Sequence, residues 1–590
     1  MENLDRILPK VQKPARYTGG EYNQIIKNKD EVDIRLAFCF PDIYDIGMSN
    51  LGMKILYHTM NSLDFVWCER VFAPWDDMYL QMKENDIPLY ALESGDPVSD
   101  FDAVAFSIGY EMAYTTVLDM LHMAGIPVRS ENRESLLPVV FAGGSACVNP
   151  QPMAPFMDFF VIGEGEEMNN DVLSLLQKAK KENWTKNDFL HHVAQIEGVY
   201  VPSLDNKVKK RIVVDLDSSP FPTSPVVPST EIVQDRVDLE LFRGCVRGCR
   251  FCQAGHIYRP IRSKKVDTLV RQGIDSLKNT GYQDMTLLSL SSSDYRELGE
   301  LIDALMEYCE ERSIGISLPS LRADNFSIEL MQKLQKVRKS NLTFAVEGGS
   351  QRLRDAINKN VTDEDVINTC RIAFEGGWNS IKLYYMLGLP TETDEDIKGI
   401  AEMANEVLHT WRTYSKNKNR GVKITISTSC FIPKPHSPFQ WEAQVTPEEY
   451  LRRVNLLRSS IVAKNVVYNW HDAETSLVEA VLSRGDRKVG DAIENVFLAG
   501  GRLDAWSDFF SYERWLKAFE DAGVDPAFYA SRERDVNESL PWDNIDVGVT
   551  KSHLLKERER AYKAELSPDC RKSCSGCGAV KLMCGGKCDE

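Results

Sequence analysis

Three cysteines, Cys245, Cys249 and Cys252, lie within eight residues of this 590-residue chain. Their C-x3-C-x2-C spacing supplies three thiolates from one loop, whereas an iron–sulfur cubane closed by protein needs four and structural zinc normally has four closed ligands. The missing thiolate leaves one iron open to bind another molecule. Gly244 and Gly248 let the backbone wrap closely around an inorganic core. The spacing therefore predicts a redox-active iron–sulfur cluster, with a zinc site or an incidental triplet as the alternatives.

The run from Arg243 to Cys252 reads Arg-Gly-Cys-Val-Arg-Gly-Cys-Arg-Phe-Cys, with an aromatic residue before its last cysteine. This run resembles the signature loop of the radical S-adenosylmethionine (SAM) superfamily. The resemblance implies that the three cysteines are the catalytic ligands of a 4Fe–4S cluster, whose open iron chelates the amino and carboxylate groups of SAM. An electron from the cluster then breaks the sulfonium bond and releases a 5′-deoxyadenosyl radical.

The longer run from Arg243 to Arg262 resembles a narrower family, the cobalamin-binding radical SAM proteins, and that resemblance covers nearly the whole chain. We expect an α/β protein in which a Rossmann-like cobalamin-binding domain precedes a partial (β/α)6 radical SAM barrel. The predicted segments are an N-terminal segment (1–30), the Rossmann-like domain (31–200), an extended Pro-rich linker (201–230), the barrel (231–447), a helical C-terminal region (448–568) and a Cys-rich metal-binding tail (569–590).

The amino-acid composition indicates the class of protein and its cellular compartment. The chain is 43% hydrophobic and 27% charged, which is ordinary for a soluble globular protein, and no apolar run approaches the ~20 residues needed to span a bilayer. Its cysteines cluster in two places and are otherwise scattered in apolar contexts, which fits unpaired thiols in a reducing cytoplasm. The net charge of −17 argues against broad electrostatic attraction to nucleic acid. We therefore expect a cytoplasmic protein without a membrane partner.

Short apolar, β-branched runs alternate with amphipathic stretches between residues 35 and 165, a pattern typical of a parallel α/β sheet. The predicted strands are Arg35–Phe40, Ala103–Ser107, Val139–Ala142 and Phe159–Ile162, and a helix is predicted from Met48 to Met60. In doubly wound sheets, ligands bind at the carboxyl ends of the strands. A domain that is purely structural, or that binds another nucleotide, is the alternative.

Turns at these strand ends resemble the cobalamin-binding pattern D-x-H-x-x-G … S-x-L … G-G, although Tyr44 occupies the histidine position and the second element matches only at Ser107. Small residues there would admit the nucleotide tail of cobalamin. Without the imidazole, the resemblance implies base-off cobalamin with a weak or absent lower axial ligand. The predicted cobalamin-binding residues are Asp42, Tyr44, Gly47, Ser107, Gly143, Gly144 and Gly163.

After a connector with four prolines in residues 218–228, strand and helix patterns alternate again. Six strands are predicted at 237–242, 285–290, 315–318, 342–346, 381–386 and 422–427. A (β/α) barrel places its chemistry at the carboxyl ends of its strands. The resemblance implies SAM contacts from the polar or small residues found there: Ser292, Asp294, Arg322, Glu347, Ser350 and Gly388.

Arg322 is the candidate partner of the SAM carboxylate, because a guanidinium is a planar two-pronged donor. Glu347 is the candidate acceptor from the ribose or amino group, and Gly388 allows the backbone to approach adenine. Loop capping is the alternative role at each of these positions. His436, between prolines and a serine, is interpreted as a rigid turn residue in preference to a general base.

The tail holds five cysteines, Cys570, Cys574, Cys577, Cys584 and Cys588. The first three repeat the C-x3-C-x2-C spacing, and Cys584 can close a four-thiolate site. The tail is expected to bind metal, since short Gly- and Cys-rich ends rarely fold without it. An auxiliary iron–sulfur cluster and a zinc knuckle both remain open.

The sequence thus predicts a cobalamin-dependent radical SAM enzyme, a methyltransferase or an enzyme that otherwise modifies an unactivated carbon. Its cofactors would be the 4Fe–4S cluster, SAM, cobalamin and a second tail metal, and its partners an electron donor such as flavodoxin or ferredoxin and a substrate that is RNA, protein or a small molecule. One alternative is a radical SAM enzyme without functional cobalamin that performs sulfur insertion, oxidation or rearrangement. Another is an RNA-associated binding protein with structural metal clusters.

Overall fold

The computed structural model describes residues 2–318, 342–416 and 418–583. The strands are β1 Ile34–Phe40, β2 Val66–Phe72, β3 Ala103–Ser107, β4 Val139–Gly143, β5 Phe159–Val161, β6 Val199–Tyr200, β7 Val208–Lys209, β8 Val237–Glu240, β9 Phe242–Arg243, β10 Arg262–Ser263, β11 Asp284–Leu288, β12 Gly315–Ser317, β13 Leu342–Glu347, β14 Ser380–Leu387, β15 Lys423–Cys430, β16 Val466–Trp470 and β17 Ile545–Asp546.

The α-helices are α1 Glu2–Ile7, α2 Tyr44–Gly47, α3 Leu51–Asn61, α4 Asp76–Glu84, α5 Tyr114–Met123, α6 Gly165–Lys181, α7 Lys186–Val193, α8 Ala254–Ile257, α9 Val266–Thr280, α10 Leu298–Cys309, α11 Gln351–Ala356, α12 Asp363–Glu375, α13 Asp394–Tyr414, α14 Pro447–Ser460, α15 Ala473–Arg484, α16 Arg487–Leu498, α17 Tyr512–Ala522 and α18 Lys551–Tyr562. Among the described helices, none is long and apolar enough to cross a membrane.

The N-terminal sheet has the strand order β2-β1-β3-β4-β5-β6. β1 to β5 run parallel, and β6 lies antiparallel to β5. The strand order changes direction between β1 and β3, which is typical of a doubly wound sheet. In such sheets a ligand binds in the crevice at the carboxyl ends of the two strands where the direction changes. The expectation of a Rossmann-like domain is confirmed, with each predicted strand found within a residue or two.

Helices cover both faces of this sheet, which explains why its strands are almost continuously apolar. On one face, helix α3 begins after Asn50, whose side chain accepts a hydrogen bond from the Met53 amide, and packs with α6 over Phe38 and Phe141. On the other face, the sheet shares a core with helices from the C-terminal region, including Trp515. The C-terminal helices therefore complete the core of the N-terminal domain.

The second half contains two parallel sheets, ordered β12-β11-β8 and β13-β14-β15-β16. The six predicted strands are present, and the mixed α/β architecture agrees with the predicted fold class. The chain between the two sheets, residues 319–341, lies outside the described residues. β16 was not predicted: this half-exposed strand adds to the sheet edge within the region expected to be helical.

The segment predicted as an extended linker, 201–230, is packed against its surroundings. β7 pairs in parallel with β17 near the C-terminus. The buried Lys210 donates hydrogen bonds to the carbonyls of Ile257 (2.5 Å) and Arg259 (2.6 Å), just after the cysteine loop. These contacts fix the path of the connector across the protein.

A lysine whose side chain is 17% exposed joins the two halves of the chain. The Lys434 ammonium lies 2.9 Å from both carboxylate oxygens of Glu111 and 2.8 Å from Glu479. Burial opposes the charge of Lys434, but the two carboxylates more than offset it and hold the pKa of Lys434 above its ordinary value. Removing one member of a buried ionic group leaves uncompensated charge, which is costly.

We predict that Lys434→Met lowers the free energy of unfolding by about 3–5 kcal/mol, because Glu111 and Glu479 lose their shared cation. Denaturant titration of the full chain measures this change. The control is Lys517→Met, since Lys517 makes only surface pairs with Glu520 and Asp521. Equal denaturation midpoints for the two variants would contradict the importance of the Lys434 contact.

Candidate functional site

The three-cysteine loop connects β9 to α8, and all three thiols are half-buried. Gly244 has φ +87°, and a Cβ there would lie 2.8 Å from the Pro260 carbonyl oxygen. A Cβ on Gly248 would lie 3.1 Å from Asn358 Nδ2, and that amide donates to the Gly248 carbonyl. Glycine at these positions therefore lets the loop fold tightly against neighbouring backbone.

Buried arginines brace this loop. Arg247 pairs with Asp294 through hydrogen bonds of 2.9 and 2.6 Å. Arg250, fully buried, donates to the Ala356 carbonyl at 2.8 Å and pairs with Glu557 of α18 at 3.1 Å. Because charge-assisted hydrogen bonds are directional, they hold the loop in one geometry. No role was predicted for these arginines from the sequence. The large number of arginines between Arg243 and Arg262 is the sequence feature that could have drawn attention to them.

The three thiols of the cysteine loop are suitable ligands for a metal cluster. Burial, followed by the neighbouring Cys249, raises the pKa of the Cys245 thiol to about 11 and that of Cys252 to about 12. The Gly255 amide donates to Cys252 Sγ at 3.3 Å. Metal coordination removes the proton from a thiol and offsets the repulsion among neighbouring thiolates. Among the described residues, no three His, Cys, Asp or Glu side chains form a group that could hold a single metal ion.

Glu347, the candidate acceptor from the SAM ribose or amino group, is linked to the cysteine loop through Lys359. Glu347 ends β13 with φ +69°, a conformation that is strained for a glutamate and often found at functional sites. Its carboxylate accepts a hydrogen bond from Lys359 at 3.2 Å, and the charge of Lys359 acts on the Cys252 thiol. Arg322, the other leading candidate for SAM binding, lies outside the described residues.

The remaining SAM candidates make local structural contacts. Ser292 donates to the Leu287 carbonyl at 2.9 Å, and Asp294 is paired with Arg247. The Ser350 hydroxyl caps helix α11 and donates to Asp396. Gly388, at φ +88°, donates its amide to a glutamate side chain. These contacts match the capping alternative, and SAM binding at the four positions stays a prediction.

At the carboxyl edge of the N-terminal sheet, glycines leave the backbone exposed. Gly109, Gly144 and Gly163 are exposed at the carboxyl ends of β3, β4 and β5, and Ser107 beside them is half-buried. A Cβ on Gly109 would meet nothing within 4 Å, so that position is open. Gly144 and Gly163 have φ of +113° and +117°, which glycine adopts at little cost. A broad, flat ligand can therefore approach the backbone along this edge.

Other predicted glycines serve packing. A Cβ on Gly47 would lie 2.2 Å from the Phe72 ring, and one on Gly143 would lie 2.6 Å from Val161. These two positions admit no side chain because the neighbouring residues fill the space. A Cβ on Gly144 would lie 2.4 Å from the Ile108 carbonyl oxygen and one on Gly163 would lie 2.0 Å from the Arg211 carbonyl oxygen, so backbone packing also accounts for these two glycines. The argument that small residues leave room for cobalamin therefore applies to Gly109, which was not predicted.

Tyr44, at the histidine position, points into the domain core. Its hydroxyl donates to Glu21 at 2.9 Å, and its ring meets the Phe72 ring edge-on at a centroid distance of 5.3 Å. Glu21 in turn pairs with the buried Arg70. Asp42 is also engaged, since its carboxylate accepts from Trp506 at 2.9 Å. In this arrangement Tyr44 offers no axial ligand at the sheet edge.

The carboxyl edges of the two halves face each other. Glu164, after β5, receives two hydrogen bonds of 2.7 Å from Arg262, while Glu111, after β3, holds Lys434. His436 lies 3.0 Å from the Val148 carbonyl, beyond β4. Burial lowers the pKa of His436 to about 4, so its neutral ring can donate to that carbonyl. This contact agrees with the interpretation of His436 as a turn residue.

The cysteine tail docks on the cysteine loop. The Cys570 amide donates to the Val246 carbonyl at 3.0 Å, so the two cysteine motifs are hydrogen-bonded neighbours. Arg571 adds an ion pair with Asp294 at 3.1 Å. Cys584, the predicted fourth tail ligand, lies outside the described residues. This association of two distant motifs could not be read from their spacing.

Two family profiles match the chain. Residues 52–202 match the N-terminal region of radical SAM proteins, and residues 239–404 match the radical SAM superfamily. An uncharacterized protein of Methanocaldococcus jannaschii is 27% identical over 492 residues, which is 83% of this chain and 97% of that protein. An uncharacterized methyltransferase of Pyrococcus horikoshii is 20% identical over 271 residues, covering 43% of this chain and 54% of the relative.

Among solved structures, a similar one is the radical SAM methyltransferase TsrM from Kitasatospora setae with tryptophan substrate and a SAM analog bound. The match has a TM-score of 0.49 at 12% identity and covers 83% of this chain and 100% of that one. The two profile matches, one of which contains the cysteine loop, establish the family: the chain belongs to the radical SAM superfamily. It is an enzyme that uses a 4Fe–4S cluster and SAM, and it requires a reductant and a substrate.

We predict that Tyr44→Phe destabilises the protein by about 1–2 kcal/mol, because Glu21 loses a buried hydrogen bond, yet leaves the cobalt content of protein from cobalamin-fed cells unchanged. Denaturant titration and metal analysis measure the two effects. Tyr22→Phe is the control, since Tyr22 is 66% exposed. Loss of cobalt at unchanged stability would show that the phenol reaches the cofactor.

Proposed function

We propose that this chain is a cobalamin-dependent radical SAM methyltransferase that methylates an unactivated carbon. The proposal rests mainly on one observation: the carboxyl ends of the strands in the N-terminal half face those in the second half. One edge belongs to a doubly wound sheet with exposed glycines, and the other belongs to the sheets that carry the cysteine loop. Ion pairs that join them include Arg262 to Glu164 and Lys434 to Glu111. A corrin on the first edge would face the cysteine loop.

When bound, the cluster would supply the electron that splits SAM into methionine and a 5′-deoxyadenosyl radical, and cobalamin, remethylated by a second SAM molecule, would supply the methyl group. Cys245, Cys249 and Cys252 would hold the cluster, with Arg247 and Arg250 fixing their loop. Glu347 would accept a hydrogen bond from SAM, which its left-handed backbone at the end of β13 and its contact with Lys359 support. Arg322 remains the proposed partner of the SAM carboxylate.

The N-terminal residues would bind and orient the corrin. The exposed backbone at Gly109, Gly144 and Gly163 lets a flat ring approach closely, and the half-buried Ser107 offers a hydroxyl at the same edge. Since Tyr44 is turned into the core, no side chain from that position would reach cobalt. This supports the base-off state with a weak or absent lower ligand. The ion pairs between the edges also help to exclude water from the space where radicals would form.

A radical SAM enzyme without cobalamin, acting by sulfur insertion, oxidation or rearrangement, is the competing assignment. Anoxically purified protein from cobalamin-fed cells separates the two. The proposal expects about one cobalt per chain and transfer of a labelled methyl group from SAM to a substrate carbon. Protein that retains no cobalt, yet still cleaves SAM, would overturn the cobalamin assignment and keep the radical chemistry.

Cys249→Ala is expected to abolish both the cubane absorption and the production of 5′-deoxyadenosine, because two thiolates hold the cluster poorly. The assay is anoxic incubation with SAM and dithionite. Cys370→Ala is the matched control, since Cys370 is buried in the hydrophobic core beside β13 and β14. Normal SAM cleavage by the Cys249 variant would refute a role for the loop in catalysis.

A further inference from the structure

We propose that Cys570, Cys574 and Cys577 hold a second iron–sulfur cluster, and that Arg259 lies between it and the first cluster as a cation shared by both. The second cluster would pass electrons to the first. This inference deepens the proposed function by naming the entry route for the reductant.

The two cysteine motifs are physically joined. The Cys570 amide donates to the carbonyl of Val246, which adjoins the first cluster ligand. On either side, Asp569 lies 3.7 Å from Arg247 of the first loop, and Arg571 donates to the Asp294 carbonyl at 3.2 Å. The first residues of the tail are thereby fixed against the loop that would bind SAM. Electron tunnelling falls steeply with distance, so this placement favours rapid transfer.

Arg259 provides independent support for a charged ligand between the motifs. It is 3% exposed, and its Nε and Nη1 have no hydrogen-bond partner among the described residues, while Nη2 donates to the Arg247 carbonyl. Burial opposes its positive charge, and the groups that favour the charge are thiols: Cys570 and Cys577 of the tail, with Cys577 also a side-chain hydrogen-bond partner, and Cys245 of the first loop. A buried cation is expected to have a compensating anion. Two anionic thiolate clusters would supply one from each side.

Each motif has a backbone amide that donates to one of its cysteine sulfurs, although the bonded cysteine is the third in the first loop and the second in the tail. In the first loop, the Gly255 amide donates to Cys252 Sγ at 3.3 Å, and in the tail the Gly576 amide donates to Cys574 Sγ at 3.4 Å. Amide hydrogen bonds to cysteine sulfur stabilise the reduced state of iron–sulfur clusters and tune their potentials. The C-x3-C-x2-C spacing that the tail shares with the first loop is what favours iron and sulfide over zinc there.

The electron balance is simple. An external one-electron donor of the flavodoxin or ferredoxin class reduces the tail cluster by one electron and is itself oxidised by one. The tail cluster then returns to its oxidised state as the first cluster gains that electron. No bond forms or breaks until SAM receives the electron and its C–S bond splits. The donor is the only additional reactant.

Metal analysis of the full chain, reconstituted anoxically with iron and sulfide, tests the site. Wild type is expected to hold about eight iron atoms, and the triple variant Cys570→Ala/Cys574→Ala/Cys577→Ala about four, as two cubanes and one require. Cys370→Ala should match wild type. A stoichiometric zinc ion in place of the second cluster, or a triple variant that keeps all its iron, would overturn the proposal.

Kinetics test the transfer step. The rate of 5′-deoxyadenosine formation driven by reduced flavodoxin, divided by the rate driven by dithionite, should fall at least tenfold in the triple variant, because dithionite can reduce the first cluster directly. An unchanged ratio would contradict electron entry through the tail. If wild type cleaved no SAM with dithionite, the proposed function would fail, whereas the iron count of the tail would still decide this inference.

The midpoint potentials of the two clusters test the role of Arg259. Arg259→Met should shift the midpoint potentials of both clusters to more negative values, since a positive charge stabilises each reduced state. Arg259→Lys, which keeps the charge, should restore them in large part. The control is Arg312→Met, a substitution at an exposed surface arginine. If Arg259→Met moved only one potential, or neither, Arg259 would not be a shared cation.

Discussion

Buried arginines hold the cysteine loop, and the geometry of the rest of the site depends on them. Arg250 is fully buried and pairs with Glu557, a residue 307 positions away along the chain. A buried charge is stable only when its partners remain in place. The C-terminal helix that carries Glu557 is therefore part of the radical site. The loop that would receive the cluster is held by side chains from distant parts of the chain.

The same C-terminal region also completes the N-terminal domain. Its helices cover one face of the doubly wound sheet, and Trp506 donates to Asp42 beside the first strand. One region thus contacts both the proposed cobalamin edge and the loop of the 4Fe–4S cluster. Their relative positions are set by buried packing and ion pairs such as Lys434 to Glu111. Such rigidity suits chemistry in which two cofactors must act on the same substrate atom.

Much of this fold could be predicted because its signals are local. The strands of the first sheet are apolar runs that end at glycine or serine, and the cysteine loop is a contiguous motif. Other features depend on distant contacts. The orientation of Tyr44 is decided by Glu21 and Phe72, and nothing in the run from Asp42 to Gly47 specifies it. β16 was missed because helical periodicity dominates its surroundings, although its β-branched and aromatic residues favour a strand.

The central claim is that an open iron at the Cys245, Cys249 and Cys252 cluster binds SAM directly. Electron–nuclear double resonance on the reduced, anoxic protein tests it with SAM labelled with nitrogen-15 in its amino group and oxygen-17 in its carboxylate. The account predicts hyperfine coupling from both labels to the cluster, which requires direct coordination to iron. A cluster spectrum without coupling to either label would contradict it.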